Sequence, residues 1–365
     1  MADISIDSGF SKSENSIDEE LESILQKQST RIKVIGCGGG GGNSVSRMKE
    51  IGVKGCEILA INTDAQDLLY TNVDSKILIG RELTNGLGSG SNPKIGEEAA
   101  RESEQEIKKK LVNSDLVFIT CGLGGGTGTG AAPIVAEIAK KQKALTIGIV
   151  TLPFTVEGQK RIENSQFGLE RLESIVDTLI VIPNDKLLEL APELPLHTAF
   201  KVADEILTNS VKGIAELITS SGLVNLDFAD VKTVMSNGGV SLIGIGESDS
   251  SQNRALEAVD RAINNPLLNV NVKDAKGALV NIIGGPDMSL EEYKLVMEHL
   301  GKKISSDAKI ISGAKISADM EKTIKVLLIV TGVQSSQILG GLSDINMSSK
   351  ESQLESELGI DFVED

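Results

Sequence analysis

Short apolar runs alternate along this chain with segments whose apolar positions recur every three or four residues. Arg31–Gly36, Glu57–Asn62, Lys76–Gly80, Leu116–Ile119, Ala144–Leu152 and Asp177–Pro183 read as strands. Between them, Val45, Met48 and Ile51 begin one helix, and a charged helix runs from Lys94 to about Val112. A third helix starts near Ala131, with Pro133 in its first turn, and a fourth follows Pro153-Phe154. Regular alternation of strand and helix predicts a parallel, doubly wound α/β sheet.

From Thr198 to about Ser220, Ala203, Ile206, Leu207, Ser210, Ile214, Leu217 and Ile218 keep a helical period, and Gly222 is a stop signal. This predicts a long, buried connecting helix. Beyond it, Ser241–Gly246, Gly277–Gly284, Lys309–Ile316 and Thr323–Val333 read as strands, with helices near Gln252–Asn264 and Ser289–Lys302. The chain therefore divides into an acidic arm (1–30), a first α/β domain (31–197), a connecting helix (198–222), a smaller α/β domain (223–333) and an acidic tail (334–365). A length of 365 residues fits two domains.

Three glycine-rich connections fall at carboxyl ends of predicted strands: Gly36–Asn43, Thr84–Pro93 and Gly124–Gly130, the last reading GGGTGTG. A strand, a glycine loop and a helix N-terminus make an anion site. Glycines let backbone N–H groups close on phosphate, and the helix dipole favours negative charge. Thr127 and Thr129 add hydroxyl donors. Neither a G-x-x-x-x-G-K-[ST] loop nor an Asn-Lys-x-Asp base reader occurs. Two kinds of site remain. One is a nicotinamide-dinucleotide site using the Gly36-x-Gly38-x-x-Gly41 fingerprint with Asp64 downstream, which would make an NAD-dependent oxidoreductase. The other is a GTP site built without the P-loop lysine.

Net charge is −16 and aromatics are 2% of residues, which argues against nucleic-acid binding. The charge sits at the ends: residues 1–30 carry seven acids and two lysines, residues 341–365 seven acids and one lysine. Ile17, Leu21, Ile24 and Leu25 give the arm a short amphipathic helical pattern. Cys37, Cys56 and Cys121 form no C-x-x-C pair; Cys37 and Cys121 read as buried fillers beside the glycine loops, with reactive thiols as the alternative. His197 and His299 are too isolated for a metal cluster or a triad. No signal peptide or membrane-length apolar run is visible, so no direct membrane insertion is expected.

Glu157 and Arg161 stand four apart and predict a surface ion pair. Asp227 and Asp230 precede Val231–Met235 and predict capping of a helix.

The GGGTGTG run resembles the signature of the tubulin/FtsZ family. So do Ile35–Asn43, Asn62-Thr-Asp-Ala-Gln66, Leu152-Pro-Phe with Glu157-Gly and Arg161, Ile182-Pro-Asn-Asp-Lys186 and Asn225-Leu-Asp-Phe-Ala-Asp230, in the family's order over about residues 31–333. The long arm and short tail resemble archaeal members. The resemblance implies a Rossmann-like, tubulin-like GTPase fold and a GTP-dependent filament that builds the division ring in cytokinesis, in the cytoplasm at mid-cell. It implies phosphate contacts from Gly39, Gly40, Gly41, Gly42, Asn43, Gly126, Thr127 and Gly128, and ribose and phosphate contacts from Glu157 and Arg161. Asn184 and Asp204 would read guanine, with Phe200 beside the base; a carboxylate accepts from guanine's N1–H and 2-amino group, a donor pair adenine lacks. Mg²⁺ would sit on phosphate oxygens rather than in a protein metal site. Asn225, Asp227 and Asp230 would act on the GTP of the next subunit in a head-to-tail filament, so that polymerisation activates hydrolysis to GDP. With no membrane-binding sequence of its own, the filament would need an adaptor protein, docked by the Ile360–Val363 segment of the tail.

Overall fold

The computed structural model describes residues 30–190, 196–219, 223–224, 226–236, 238–268 and 272–333. The arm's helical pattern, the tail with its 360–363 segment, Gly222 and Asn225 lie outside these residues.

The first half runs β1 (Ile32–Cys37), α1 (Gly38–Ile51), β2 (Cys56–Asn62), α2 (Ala65–Tyr70), β3 (Ser75–Leu78), α3 (Arg81–Thr84), α4 (Pro93–Glu102) and α5 (Glu104–Leu111). It continues through β4 (Leu116–Gly122), α6 (Thr127–Lys141), β5 (Leu145–Leu152), α7 (Gln159–Ile175), β6 (Thr178–Pro183) and α8 (Asn184–Leu190). The long α9 (Leu196–Thr219) leads to α10 (Phe228–Met235), β7 (Gly239–Ser248), α11 (Arg254–Ile263), β8 (Gly277–Gly284), α12 (Leu290–Lys303), β9 (Lys309–Ile316) and β10 (Ile324–Thr331).

The described strands form one sheet in the order β3-β2-β1-β4-β5-β6-β7-β10-β8-β9. Neighbours from β3 to β7 are parallel, as are β8 and β9, whereas β10 runs antiparallel to both β7 and β8. The second half is therefore joined to the first through the β6–β7 pair, Thr178–Ile180 against Gly239–Ser241.

Strands buried on both faces read as continuous apolar runs. On β4, Leu116 and Phe118 belong to one core, and Val117, Ile119 and Cys121 to the core on the opposite face. Helix α9 buries Ala203, Leu207, Val211 and Ile214 against the first core, which also holds Ile243, Leu279, Leu327 and Ile329 from the second half. A third core packs α11 and α12 on the other face of β7, β8 and β10.

Several predicted boundaries differ. Helix α1 begins at Gly38 and α6 at Thr127, so much of each glycine run is a first helical turn rather than a loop, and Pro133 lies inside α6. Close packing explains the glycines: a Cβ on Gly41 would meet the Thr120 carbonyl oxygen at 2.5 Å, and one on Gly130 the Pro93 carbonyl oxygen at 2.0 Å. The charged helix is two, α4 and α5, broken at Ser103, whose hydroxyl accepts from the Gly80 N–H at 3.2 Å. Glu157 lies in a 3₁₀ turn (Thr155–Glu157), separated from α7 by Gly158 at φ 102°.

Candidate nucleotide site

The order of the sheet reverses between β1 and β4, and doubly wound sheets bind ligands outside the carboxyl ends at that point. A cleft of about 740 Å³ lies there. Two helix N-termini meet in it. The ends of α1 and α6 carry no side-chain cap and no acidic residue in the first turn. By contrast, Asp64 caps α2, Asn92 caps α4 and Ser289 caps α12. Uncapped N–H groups on two converging dipoles favour an anion. The two ends touch: a Cβ on Gly38, at φ +70°, would stand 2.7 Å from the Gly128 nitrogen.

Of the predicted phosphate residues, Gly39, Gly40, Asn43, Gly126, Thr127 and Gly128 line the cleft. Gly41 and Gly42 do not; both are buried, Gly41 against the β4 backbone and Gly42 against Thr71. Thr127 ties the site together, its hydroxyl 2.6 Å from that of Thr63 and 3.0 Å from that of Ser89. Thr129 is turned away and accepts from the Gly124 N–H at 3.0 Å, shaping the turn instead of lining the cleft.

Glu157 and Arg161 line the far wall and pair at 2.5 Å despite the break between them. Glu157 is also anchored by the Phe154 N–H at 2.9 Å. Asn184, Phe200 and Asp204 also line the cleft, Asn184 next to Asp185, whose carboxylate accepts from the Thr155 N–H of the Glu157 turn at 3.0 Å. Phe200 meets Phe154 edge-on, ring centroids 5.2 Å apart, and is 40% exposed. Asn184 is buried, yet its Oδ1 has no hydrogen-bond partner among the described residues. An unpaired buried acceptor is costly, and a bound donor would relieve it. Asp204 is half-buried, and burial pushes its carboxyl up from the usual range, opposed by the Ser44 hydroxyl and the Arg47 charge.

Asp227 and Asp230 do not line this cleft. Asp227 precedes α10 at the cap position, but its side chain makes no capping hydrogen bond, so that predicted role is not filled; both carboxylates are exposed. Helix α9 runs from Phe200 and Asp204 in the cleft to Thr219, which lies against Gly55 just before the amino end of β2, and the Met235 carbonyl of α10 accepts from the hydroxyl of Thr178, the first residue of β6. The cleft opens at the carboxyl end, and a strand of this length spans about 20 Å. Within one chain the two acids and the cleft therefore lie at opposite poles of the sheet.

A model of the Tubulin/FtsZ family GTPase domain matches residues 31–192, and a model of the FtsZ family C-terminal domain matches residues 239–334. The chain belongs to the FtsZ family. It is 58% identical over 324 residues to cell division protein FtsZ 1 of Thermococcus kodakarensis, covering 89% of this chain and 86% of that protein. With FtsZ 1 of Archaeoglobus fulgidus the identity is 55% over 347 residues, 95% and 92% of the two chains. The solved structure of an empty FtsZ dimer from M. jannaschii matches with a TM-score of 0.82 at 56% identity, over 87% of this chain and 92% of that one. The CetZ2 protofilament structure from Haloferax volcanii, TM-score 0.76 at 20% identity over 89% and 99%, shares the fold.

This FtsZ-family chain is thus a tubulin-like GTPase, and the relatives named are archaeal FtsZ 1 proteins. The nicotinamide alternative has no support, and Asp64 serves as the N-cap of α2, its Oδ1 accepting from the Gln66 and Asp67 N–H groups. Sequence reasoning did not single out Ser44, Ser89, Ser91 or Asp67 as site residues, although all line the cleft. Ser89 and Ser91 lie in the Thr84–Pro93 connection, whose glycines were the available signal.

Proposed function

We propose that this chain binds GTP in the cleft and joins head to tail into filaments in which each subunit completes the hydrolytic site of its neighbour. The observation that carries this reading is the separation of the nucleotide cleft from Asp227 and Asp230 at opposite poles of the sheet. Stacking copies along that axis would bring one chain's exposed carboxylates to the next chain's phosphates. A contact between two different faces that does not close generates an open filament.

Gly39, Gly40, Asn43, Gly126, Thr127 and Gly128 hold the phosphates, with Gly41 and Gly42 setting the backbone that presents them. Glu157 and Arg161 hold the ribose side, Phe200 covers the base, and Asn184 and Asp204 read guanine. Asp227 and Asp230, with Asn225, orient the attacking water and accept its proton as its oxygen bonds to the γ-phosphorus and the β–γ bridge bond breaks, leaving GDP and phosphate. No cluster of three or more His, Cys, Asp or Glu is placed to hold a metal among the described residues. Asp64 is a cap, and Asp67 accepts from Asn62. In this reading Mg²⁺ would be held through phosphate oxygens, where it would neutralise charge.

Residues 31–197 and 223–333 act as the two domains, with 198–222 as the helix between them. The filament assembles the division ring in the cytoplasm at mid-cell. No described helix is long and apolar enough to cross a membrane, and an adaptor recognising the tail near Ile360–Val363 supplies the tether.

The test is Asp227→Ala and Asp230→Ala, each assayed for GTP binding, pelletable polymer and phosphate release. Both bind GTP and polymerise, with turnover about 10²–10⁴-fold lower. Full turnover in both variants overturns the assignment.

A further inference from the structure

Ser44 stands on the first turns of α1, 1% exposed, lining the cleft with Asn184 and Asp204. Its hydroxyl oxygen is 2.6 Å from Asp204 Oδ1 and 3.1 Å from the Gly40 carbonyl oxygen. A hydroxyl has one proton to give, and a carboxylate is the stronger acceptor. The proton therefore goes to Asp204, bridging α1 to α9 across 160 residues of sequence. The backbone of α9 is tied independently, with Thr208 donating to the Asp204 carbonyl oxygen at 2.7 Å. This leaves Oδ2 and the second lone pair of Oδ1 for a ligand.

We propose, building on the guanine contact assigned above to Asp204, that Ser44 is the positioning residue for base recognition, holding the Asp204 carboxylate as a fixed double acceptor for N1–H and the 2-amino group. Without Ser44 the side chain is free to rotate about its Cα–Cβ and Cβ–Cγ bonds, and only the Arg47 charge opposes the effect of burial. The described ionisable groups on the helices packed against α9 are Arg47, Lys49 and Glu50 on α1 and Asp185 and Lys186 on α8. Of these, Arg47 is the one whose charge reaches Asp204. Of the strands packed on α9, β5 and β8 carry no ionisable residue, and Lys315 of β9 and Lys325 of β10 lie by Glu216, about three helical turns beyond Asp204. A protonated Asp204 would turn a donor toward guanine's own donors, so GDP binding would fail at a higher pH once Ser44 is gone.

The experiment measures GDP and IDP affinity from pH 5.5 to 8 for the native chain, Ser44→Ala, Ser44→Thr and Asp204→Asn. IDP lacks the 2-amino group and reports on half of the donor pair. Ser44→Ala weakens GDP about tenfold at pH 7.5, narrows the GDP-to-IDP ratio and moves the acid loss of GDP binding to higher pH. Ser44→Thr, which keeps the hydroxyl, restores all three. A Ser44→Ala profile parallel to the native one, with the GDP-to-IDP ratio intact, overturns the role of Ser44 while leaving that of Asp204. An unchanged GDP-to-IDP ratio in Asp204→Asn overturns the guanine contact itself.

Discussion

Replacing Gly38 by alanine tests whether the two converging helix ends form one rigid cradle. Gly38 is at φ +70°, where an L-residue costs about 1–2 kcal/mol. Its new methyl would stand 2.7 Å from the Gly128 nitrogen and 3.2 Å from Gly128 Cα. These are backbone atoms and cannot rotate away, so overpacking adds about 1–3 kcal/mol. The expected loss is therefore about 2–5 kcal/mol in the nucleotide domain. Relief of the contact moves α1 and α6 apart by several tenths of an ångström, in a site whose N–H donors must reach phosphate at about 2.7–3.2 Å. GDP affinity falls at least tenfold. At a concentration one hundred times the native Kd, GDP stabilises the native chain by about 2.7 kcal/mol, and a tenfold weaker variant at the same concentration by roughly 1.4 kcal/mol. Denaturant midpoints with and without GDP read both effects. The same substitution at Gly301, inside α12 with nothing within 4 Å of its Cβ, stabilises by about 0.5–1 kcal/mol. Native stability and a full GDP shift in Gly38→Ala would refute the cradle.

Glu97 bridges α4 to α7: Arg171 holds its carboxyl down to about 2, helped by Arg101. A depressed folded pKa gives stability that is present above the ordinary value near 4.5 and lost as pH falls toward 2. Acid unfolding of Glu97→Gln accordingly shows a shallower dependence over that window, and a curve parallel to the native one contradicts the bridge. Burial pushes the Cys121 thiol up to about 12, raises that of Cys37 as well, and pushes Cys56 up to about 11. At pH 8 the folded chain reacts slowly with a thiol-alkylating reagent at all three, and denaturation releases them together. Rapid labelling of native Cys37 or Cys121 contradicts their role as packed fillers.

The strands were legible because their apolar runs are uninterrupted, and β8 and β9 fall on the residues predicted. Helix starts were not. Glycine is a poor helix former, so the runs at Gly38–Gly42 and Gly124–Gly130 read as loops. Tertiary contact overrides that preference at Gly41 and Gly130, where no Cβ fits. The break at Ser103 has a similar cause, since its hydroxyl serves the Gly80 N–H on a different element. Nor could local pattern foresee that β7 extends the sheet of the first half, because the pairing of Thr178 with Gly239 spans the whole of α9 and α10.

Gly39, Gly40, Asn43, Gly126, Thr127, Gly128, Glu157, Arg161, Asn184, Phe200 and Asp204 of the cleft lining were named through motif order, and spacing alone would have kept the nicotinamide site open. What the motifs could not convey is how side chains share protons across the fold. Ser44 and Asp204 are neighbours in space only, and the unsatisfied Oδ1 of Asn184 is a property of its surroundings. The Glu157–Arg161 pair was legible from spacing, and it forms even though the helix that justified it is interrupted at Gly158.

The central claim is that the catalytic centre is shared between two copies of the chain. Phosphate release per molecule, followed in GTP and Mg²⁺ while protein concentration is raised from well below to well above the onset of light scattering, tests it most directly. Almost no turnover is expected from dispersed chains, with a steep rise at the onset of assembly. Turnover per molecule that stays constant across the series would contradict it.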